Sequence, residues 1–230
     1  MMPVPKVKEV ILLKKLIRKY GHVWMLSYAF IYLPWFMFLE RTVTRDYHIM
    51  HASLDDLIPF NEYFIVPYFL WFVYVAGTLI FFLFRSKEDY YKMCAFLFSG
   101  MTLSLIICTF FHNGTDFRPV IDPDKNIFSA AVAALYKTDT NTNVFPSIHV
   151  YNSVGTHIAI SRSRFLSKHK IIKLCSFLLT ASICLATMFL KQHSIIDVCG
   201  AFLMAYAIHY LVYGYAADTE DKKITEKALG

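Results

Sequence analysis

The sequence predicts an all-α, polytopic membrane protein with six transmembrane helices, on three observations. The chain of 230 residues is 57% hydrophobic and only 17% charged, whereas a soluble domain is about a quarter charged. Its apolar residues fall in long runs and not in stripes of 3.6-residue period, as expected of segments that cross a bilayer. Two histidines, a carboxylate, a serine and an arginine stand in short polar knots at the ends of those runs.

Taken in order, residues 1–21 read as a basic amphipathic helix lying on the membrane surface. Lys6, Lys8, Lys14, Lys15, Arg18 and Lys19 oppose Val7, Val10, Ile11, Leu13, Ile17 and Tyr20, a pattern suited to an anionic lipid surface. A partner-binding helix is the other reading of the same stretch. Residues 22–216 form the membrane domain, with spans near 22–39, 62–84, 92–111, 146–161, 171–190 and 194–215. Pro34 marks a kink in the first span, and Pro67 lies in the second. Residues 112–145 read as a long polar loop, and 217–230 as a polar cytosolic tail. The basic start is too long, and lacks a small-x-small site, for a cleavable leader. The five cysteines all lie within apolar runs. They show no metal-ligand spacing and no disulfide framework, and are expected to be small buried side chains.

Charge gives the orientation. Of the 23 Lys and Arg residues, seventeen fall in the N-terminal segment, the loops after spans two and four, and the tail. By the positive-inside rule these segments are cytosolic, so both termini are cytosolic. The expected location is a plasma membrane, taken as a bacterial cytoplasmic membrane. This topology gathers Arg118, Ser147, His149, His193 and Asp197 on the non-cytosolic side, although of these only Arg118 enters the charge count. Nucleic acid is not needed to explain the net charge of +6.

These five residues are the candidate site. His193 and Asp197 are four apart in Lys191-Gln192-His193-Ser194-Ile195-Ile196-Asp197. On a helix that spacing places their Cβ atoms roughly 5–6 Å apart. A carboxylate on one imidazole nitrogen leaves the other as an oriented lone pair, as a nucleophile requires. His149 follows Pro146-Ser147, where a helix start offers Ser147 as a cap and free N–H groups for an anion. Arg118 offers a two-pronged fork for phosphate oxygens. A nucleophile, an acid and a set of donors are what phosphoryl transfer needs. Two alternatives remain on these residues: a zinc site of His149, His193 and Asp197, and a purely structural His193–Asp197 pair. His157 and His209 read as structural, and Trp24 and Trp35 as interfacial belt residues. Gly200, Ala201 and Ala205 read as a close-packing stripe. Asp122, Asp124 and Asp139 read as a solvated loop.

Arg118-Pro119, Pro146-Ser147-Ile148-His149 and His193 to Asp197 resemble, in order, the three signatures of the type-2 phosphatidic acid phosphatase and vanadium haloperoxidase-like superfamily, membrane branch. The resemblance implies a lipid phosphatase acting at the outer face. His193 would carry a phosphohistidine, Asp197 would orient it, and His149 would protonate the leaving group. Arg118 and Ser147 would bind the substrate phosphate, and no cofactor or metal would be required. The implied partner is a phospholipid, isoprenoid or sphingolipid phosphate. Three places depart from the signatures. Phe111 stands where the first has a lysine, Thr187 where the third has an arginine, and Ile148 where the second has a glycine. Lys191 is a candidate to supply one missing cation. With two cations gone, the third signature is similar to the sphingomyelin synthase and inositol phosphorylceramide synthase-like branch. That likeness implies phospho-headgroup transfer between lipids as an alternative. A non-enzymatic lipid-binding protein with a degenerate site is the alternative from another class.

Overall fold

The structure, a computed structural model, describes residues 18–214. Nearly all of the expected surface helix, and the whole 217–230 tail, lie outside the described residues. Among the described residues, five stretches are long and apolar enough to cross a membrane: Arg18–Thr42, Glu62–Arg85, Lys87–Phe110, Lys170–Phe189 and Ile195–Gly214. The protein is therefore an all-α polytopic membrane protein. Its outer surface is greasy, with Phe30, Val73, Leu203 and Tyr206 mostly exposed, as suits contact with lipid.

A 3₁₀ segment, Gly21–Tyr28, leads into helix α1, Ala29–Thr42, which contains Pro34. A short helix α2, Ser53–Leu57, follows. Helix α3 is Ile65–Arg85. Its Pro67 lies in the first turn, where no helical hydrogen bond is lost. Ser86 caps helix α4, Lys87–Phe110, by accepting from the Asp89 N–H, and Glu88 and Asp89 sit at its positive end. Helices α5, Ile127–Thr138, α6, Ile148–Arg162, α7, Lys170–Phe189, and α8, Ile195–His209, complete the set.

The fourth expected span is α6. At 15 residues it is about 22 Å long, short for a bilayer core of about 30 Å. It packs against α3, α4, α7 and α8, so its polar run faces protein and not lipid. Asn152, Ser153 and Thr156 are buried there. The expected structural role of His157 agrees with its contact to Ser176 Oγ at 2.9 Å. Two glycines set how closely α6 lies on α4. The Tyr151 ring of α6 rests on Gly100 of α4, and the Phe96 ring of α4 rests on Gly155 of α6. The two rings stack at 4.8 Å, and Tyr151 Oη donates to the Phe96 carbonyl at 2.7 Å.

Three expectations are corrected. Residues 112–145 are not a plain loop. Asn126 caps α5 by accepting from the Phe128 and Ser129 N–H groups. The α5 residues Phe128, Val132 and Leu135, spaced as one helical face, join the cluster formed with Ile65, Tyr68, Ala186 and Leu190. The flanking aspartates and lysines hid that 12-residue helix. A two-residue parallel pairing, β1 His48–Ile49 with β2 Asn113–Gly114, also ties this segment to the first loop. Second, Cys175 and Cys199 are exposed, while Cys94, Cys108 and Cys184 are buried. Third, Gly200 is not part of a helix-packing stripe, because it lies under the Phe145 ring of a loop.

A side chain at Gly100 would meet the Tyr151 ring at 2.1–2.5 Å. Gly100→Ala is expected to destabilise the fold by about 1–3 kcal/mol, the usual effect of overpacking. Thermal unfolding in detergent measures this, and Gly77→Ala, mid-helix where a Cβ meets nothing within 4 Å, should hold or raise the midpoint.

Candidate active site

The site is built where α7 ends and α8 begins. Helix α7 closes with the Lys191 N–H on the Met188 carbonyl and the Gln192 N–H on the Thr187 carbonyl, both at 2.9 Å. Lys191 itself is left-handed, with φ 53°. Paired bonds of this kind with a left-handed residue between them form a Schellman stop. Three residues later Ser194 caps α8, its Oγ accepting from the Ile196 N–H at 3.2 Å. Asp197 reaches back to accept from the Ser194 N–H at 2.9 Å, the reciprocal half of a capping box. His193 is held between these two stops.

His193 therefore precedes α8 and does not share a helical face with Asp197, as its spacing suggested. The contact forms nonetheless, because the capping carboxylate faces the preceding ring. His193 Nδ1 lies 3.4 Å from Asp197 Oδ2, beyond ordinary hydrogen-bond length. His193 Nδ1 and Asp197 Oδ1 are both buried without a hydrogen-bond partner. With the carboxylate on the Nδ1 side, Nε2 is the nitrogen left for chemistry.

His149 enters from the first turn of α6. Its ring lies between Tyr68 and Trp71 of α3, at 4.7 and 4.6 Å. The His149 and His193 ring centroids are 5.7 Å apart. Both line a narrow cavity of about 40 Å³ together with Glu40, Arg118, Asp139 and Gln192. A wider groove of about 360 Å³ shares His149 and Asp139 with it and is walled by Tyr32, Phe36, Trp71 and Phe72. Ser147 is fully buried and caps α6 by accepting from the Val150 N–H at 3.4 Å. Its own N–H donates to the Asp197 carbonyl at 3.2 Å. It fastens α6 to α8 and does not line the cavity.

Arg118 lies in the cavity, but much of its fork is occupied. It donates to the Asp139 carbonyl at 2.8 Å, to the Thr140 carbonyl at 2.7 Å, and to Gln192 Oε1. It also lies over the Tyr136 ring at 4.7 Å. Its Nε has no partner. Burial lowers its pKa from the ordinary arginine value, while nearby Asp139 acts in the opposite sense.

Four participants escaped the sequence reading. Asp55 of α2 is 3% exposed. It accepts from Ser194 Oγ at 2.6 Å, from the Ile195 N–H at 2.9 Å and from the Ala52 N–H at 2.8 Å. Nothing in its local sequence marks it, because its partners lie about 140 positions away. Glu40, an acid at the end of an apolar run, carried the signal of an ionisable group at membrane depth. It accepts from Thr140 Oγ1 at 2.6 Å and from Asn143 Nδ2 at 3.0 Å. Asp139 is not simply solvated, since it accepts from Tyr68 Oη at 2.8 Å. Gln192, in the knot beside His193, also lines the cavity.

Lys191 does not replace a missing cation. Its Nζ donates to the Asp55 carbonyl at 2.7 Å, turned toward the first loop. Phe111 stacks on His48 at 4.8 Å, and Thr187 is buried with its carbonyl closing α7. His149, His193 and Asp197 do not assemble as the ligand set of one ion. Among the described residues, no three His, Cys, Asp or Glu side chains do.

The family model for the PAP2 superfamily matches residues 92–220. The chain belongs to the PAP2 superfamily. The matched stretch contains Arg118, Ser147, His149, His193 and Asp197, but neither Glu40 nor Asp55. No curated protein and no solved structure matches the chain. Membership assigns the class of chemistry, that of phosphatases and phosphotransferases acting on lipid phosphates.

Asp55→Ala would leave Ser194 Oγ and the Ile195 N–H without an acceptor at a buried helix start, a loss of about 1–3 kcal/mol for each. A lower unfolding midpoint in detergent is expected for Asp55→Ala, and a smaller loss for Asp55→Asn, which keeps one acceptor.

Proposed function

We propose that this protein is an integral-membrane lipid phosphatase that works through a phosphohistidine on His193, with the site on the non-cytosolic side and both termini cytosolic. The observation that carries the reading is the shared cavity of His149, His193 and Arg118, with the two imidazoles 5.7 Å apart. A nucleophile acts from about 3–3.5 Å and a proton donor from about 2.6–3.2 Å. One phosphoryl group between the rings can meet both.

In this reading His193 Nε2 attacks phosphorus and forms an N–P bond. The P–O bond to the lipid alcohol breaks, and His149 gives its proton to the leaving oxygen. Asp197, on the Nδ1 side, steadies the positive charge that develops on the ring. Water, deprotonated by His149, then attacks phosphorus and releases phosphate from His193. Arg118 balances charge on the non-bridging oxygens. Ser147 acts by fixing the start of α6, not by touching phosphate. The groove of Tyr32, Phe36, Trp71 and Phe72 offers an apolar path for the tail beside His149. No step calls for a metal ion.

One observation favours a second reading, transfer of a phospho-headgroup to a lipid hydroxyl. A single guanidinium shares the cavity with two carboxylates, Glu40 and Asp139. That balance suits a phosphodiester, which carries less negative charge than a monoester.

Products distinguish the two readings. The purified protein is incubated with a panel of lipid phosphates and phosphodiesters, and both free phosphate and new lipid esters are measured. Free phosphate without a new lipid ester is the expected result. A new headgroup lipid without phosphate release would select transfer. His193→Ala should abolish either activity, and full activity in that variant would overturn both readings. Activity should survive a chelator; loss that zinc restores would point to a metal site instead. Asp197→Asn should reduce turnover by about 10²-fold or more, the usual scale for impairing acid–base machinery, while the amide oxygen can still accept from the Ser194 N–H, so the protein should remain folded with a lowered unfolding midpoint.

A further inference from the structure

We infer that Gln192 is a phosphate-binding residue, its side-chain amide donating to a non-bridging phosphoryl oxygen in place of the cations absent at positions 111 and 187. The inference rests on the reading of this cavity as a phosphate site. Gln192 is 1% exposed and lines the cavity with both imidazoles. Its backbone is fixed by the bond to the Thr187 carbonyl that closes α7, so the side chain springs from an anchored point.

The orientation of the amide follows from its neighbour. Arginine has donors only, so the atom facing Arg118 must be the amide oxygen, and the NH₂ group must face elsewhere. That Nε2 is buried and has no partner. A buried amide donor without an acceptor costs about 1–3 kcal/mol, and native proteins keep few of them. Arg118 Nε, in the same cavity, is likewise buried and unpartnered. Two unmatched N–H donors beside the proposed nucleophile call for an acceptor, and phosphoryl oxygens are acceptors of that kind. Lys191, the cation next to it in sequence, is engaged with the Asp55 carbonyl. Gln192 has a second effect. By accepting from Arg118 it helps hold the guanidinium at the cavity wall. Being neutral, it adds a donor without adding charge, so the site keeps one formal cation beside Glu40 and Asp139.

The test uses the full-length protein in detergent, with inorganic vanadate as the probe and a lipid phosphomonoester and phosphodiester of the same tail as substrates. Gln192→Ala should weaken vanadate inhibition and raise KM by about ten- to a hundredfold, the equivalent of one hydrogen bond to a charged group. Gln192→Glu, nearly the same shape, should abolish vanadate binding by setting a carboxylate against the anion. Gln192→Lys should tighten vanadate and shift the kcat/KM ratio toward the doubly charged monoester by at least about tenfold. A purely structural Gln192 would not produce that shift. If Gln192→Ala fails to fold, the Glu and Lys variants decide. Wild-type activity that depends on His193, with vanadate affinity and substrate ratio unchanged in the Glu and Lys variants, would overturn this inference and leave the phosphatase reading standing. No vanadate binding by the wild type, or activity that survives His193→Ala, would overturn both.

Discussion

The N-terminus of α8 is buried, and the unmatched N–H groups of a buried helix start must find acceptors. Asp197 takes the Ser194 N–H, while Asp55 takes the Ile195 N–H and the Ser194 hydroxyl. The two carboxylates lie about 140 positions apart in the chain. Together they lock the five residues between α7 and α8 and tie the first loop to the start of α8. His193 is placed by this constraint, with its own N–H on the Thr187 carbonyl at 3.1 Å. Asp197 thus has two duties, capping the helix and facing the imidazole, and one geometry serves both.

The rest of the bundle brings other groups to that fixed point. The paired glycine–ring contacts between α4 and α6 set the depth of α6, and with it His149. The Ser147 N–H on the Asp197 carbonyl then joins the two helix starts directly. Asn113 ties down the long loop, donating to the Phe111 carbonyl and accepting from the Phe145 N–H, each at 2.7 Å. Arg118 is carried on that loop and held by carbonyls. Charge is lean throughout: one guanidinium, two carboxylates and two imidazoles in a narrow space. Such a site binds by placed donors more than by bulk positive potential.

The sequence showed a good deal of this. Long apolar runs gave the class and nearly all the span positions, because crossing a bilayer imposes length and composition on each segment independently. His149, His193 and Arg118 were visible because ionisable groups at the edges of apolar runs are hard to explain otherwise, and the structure brings all three to one cavity. What escaped detection was whatever depended on distant partners. Asp55 looks like any loop acid until the fold sets it against Ser194. Helix α5 was lost among charged flanks, although Phe128, Val132 and Leu135 carry its period. The i,i+4 argument for His193 and Asp197 reached the right contact by the wrong route, since a capping box also brings those positions together. Lys191 was the candidate cation, but it turns toward the first loop, and the neutral amide of Gln192, which carried no signal of its own, lines the cavity.

The central claim is that His193 accepts the phosphoryl group. Rapid quenching of turnover with a lipid substrate labelled in its phosphate, followed by peptide mapping under conditions that preserve phosphohistidine, tests it most directly. The predicted result is an acid-labile label on His193 that builds up within a turnover, is lost on continued incubation, and is absent in His193→Ala. Label on another residue, or turnover with no covalent adduct at any time, would contradict it.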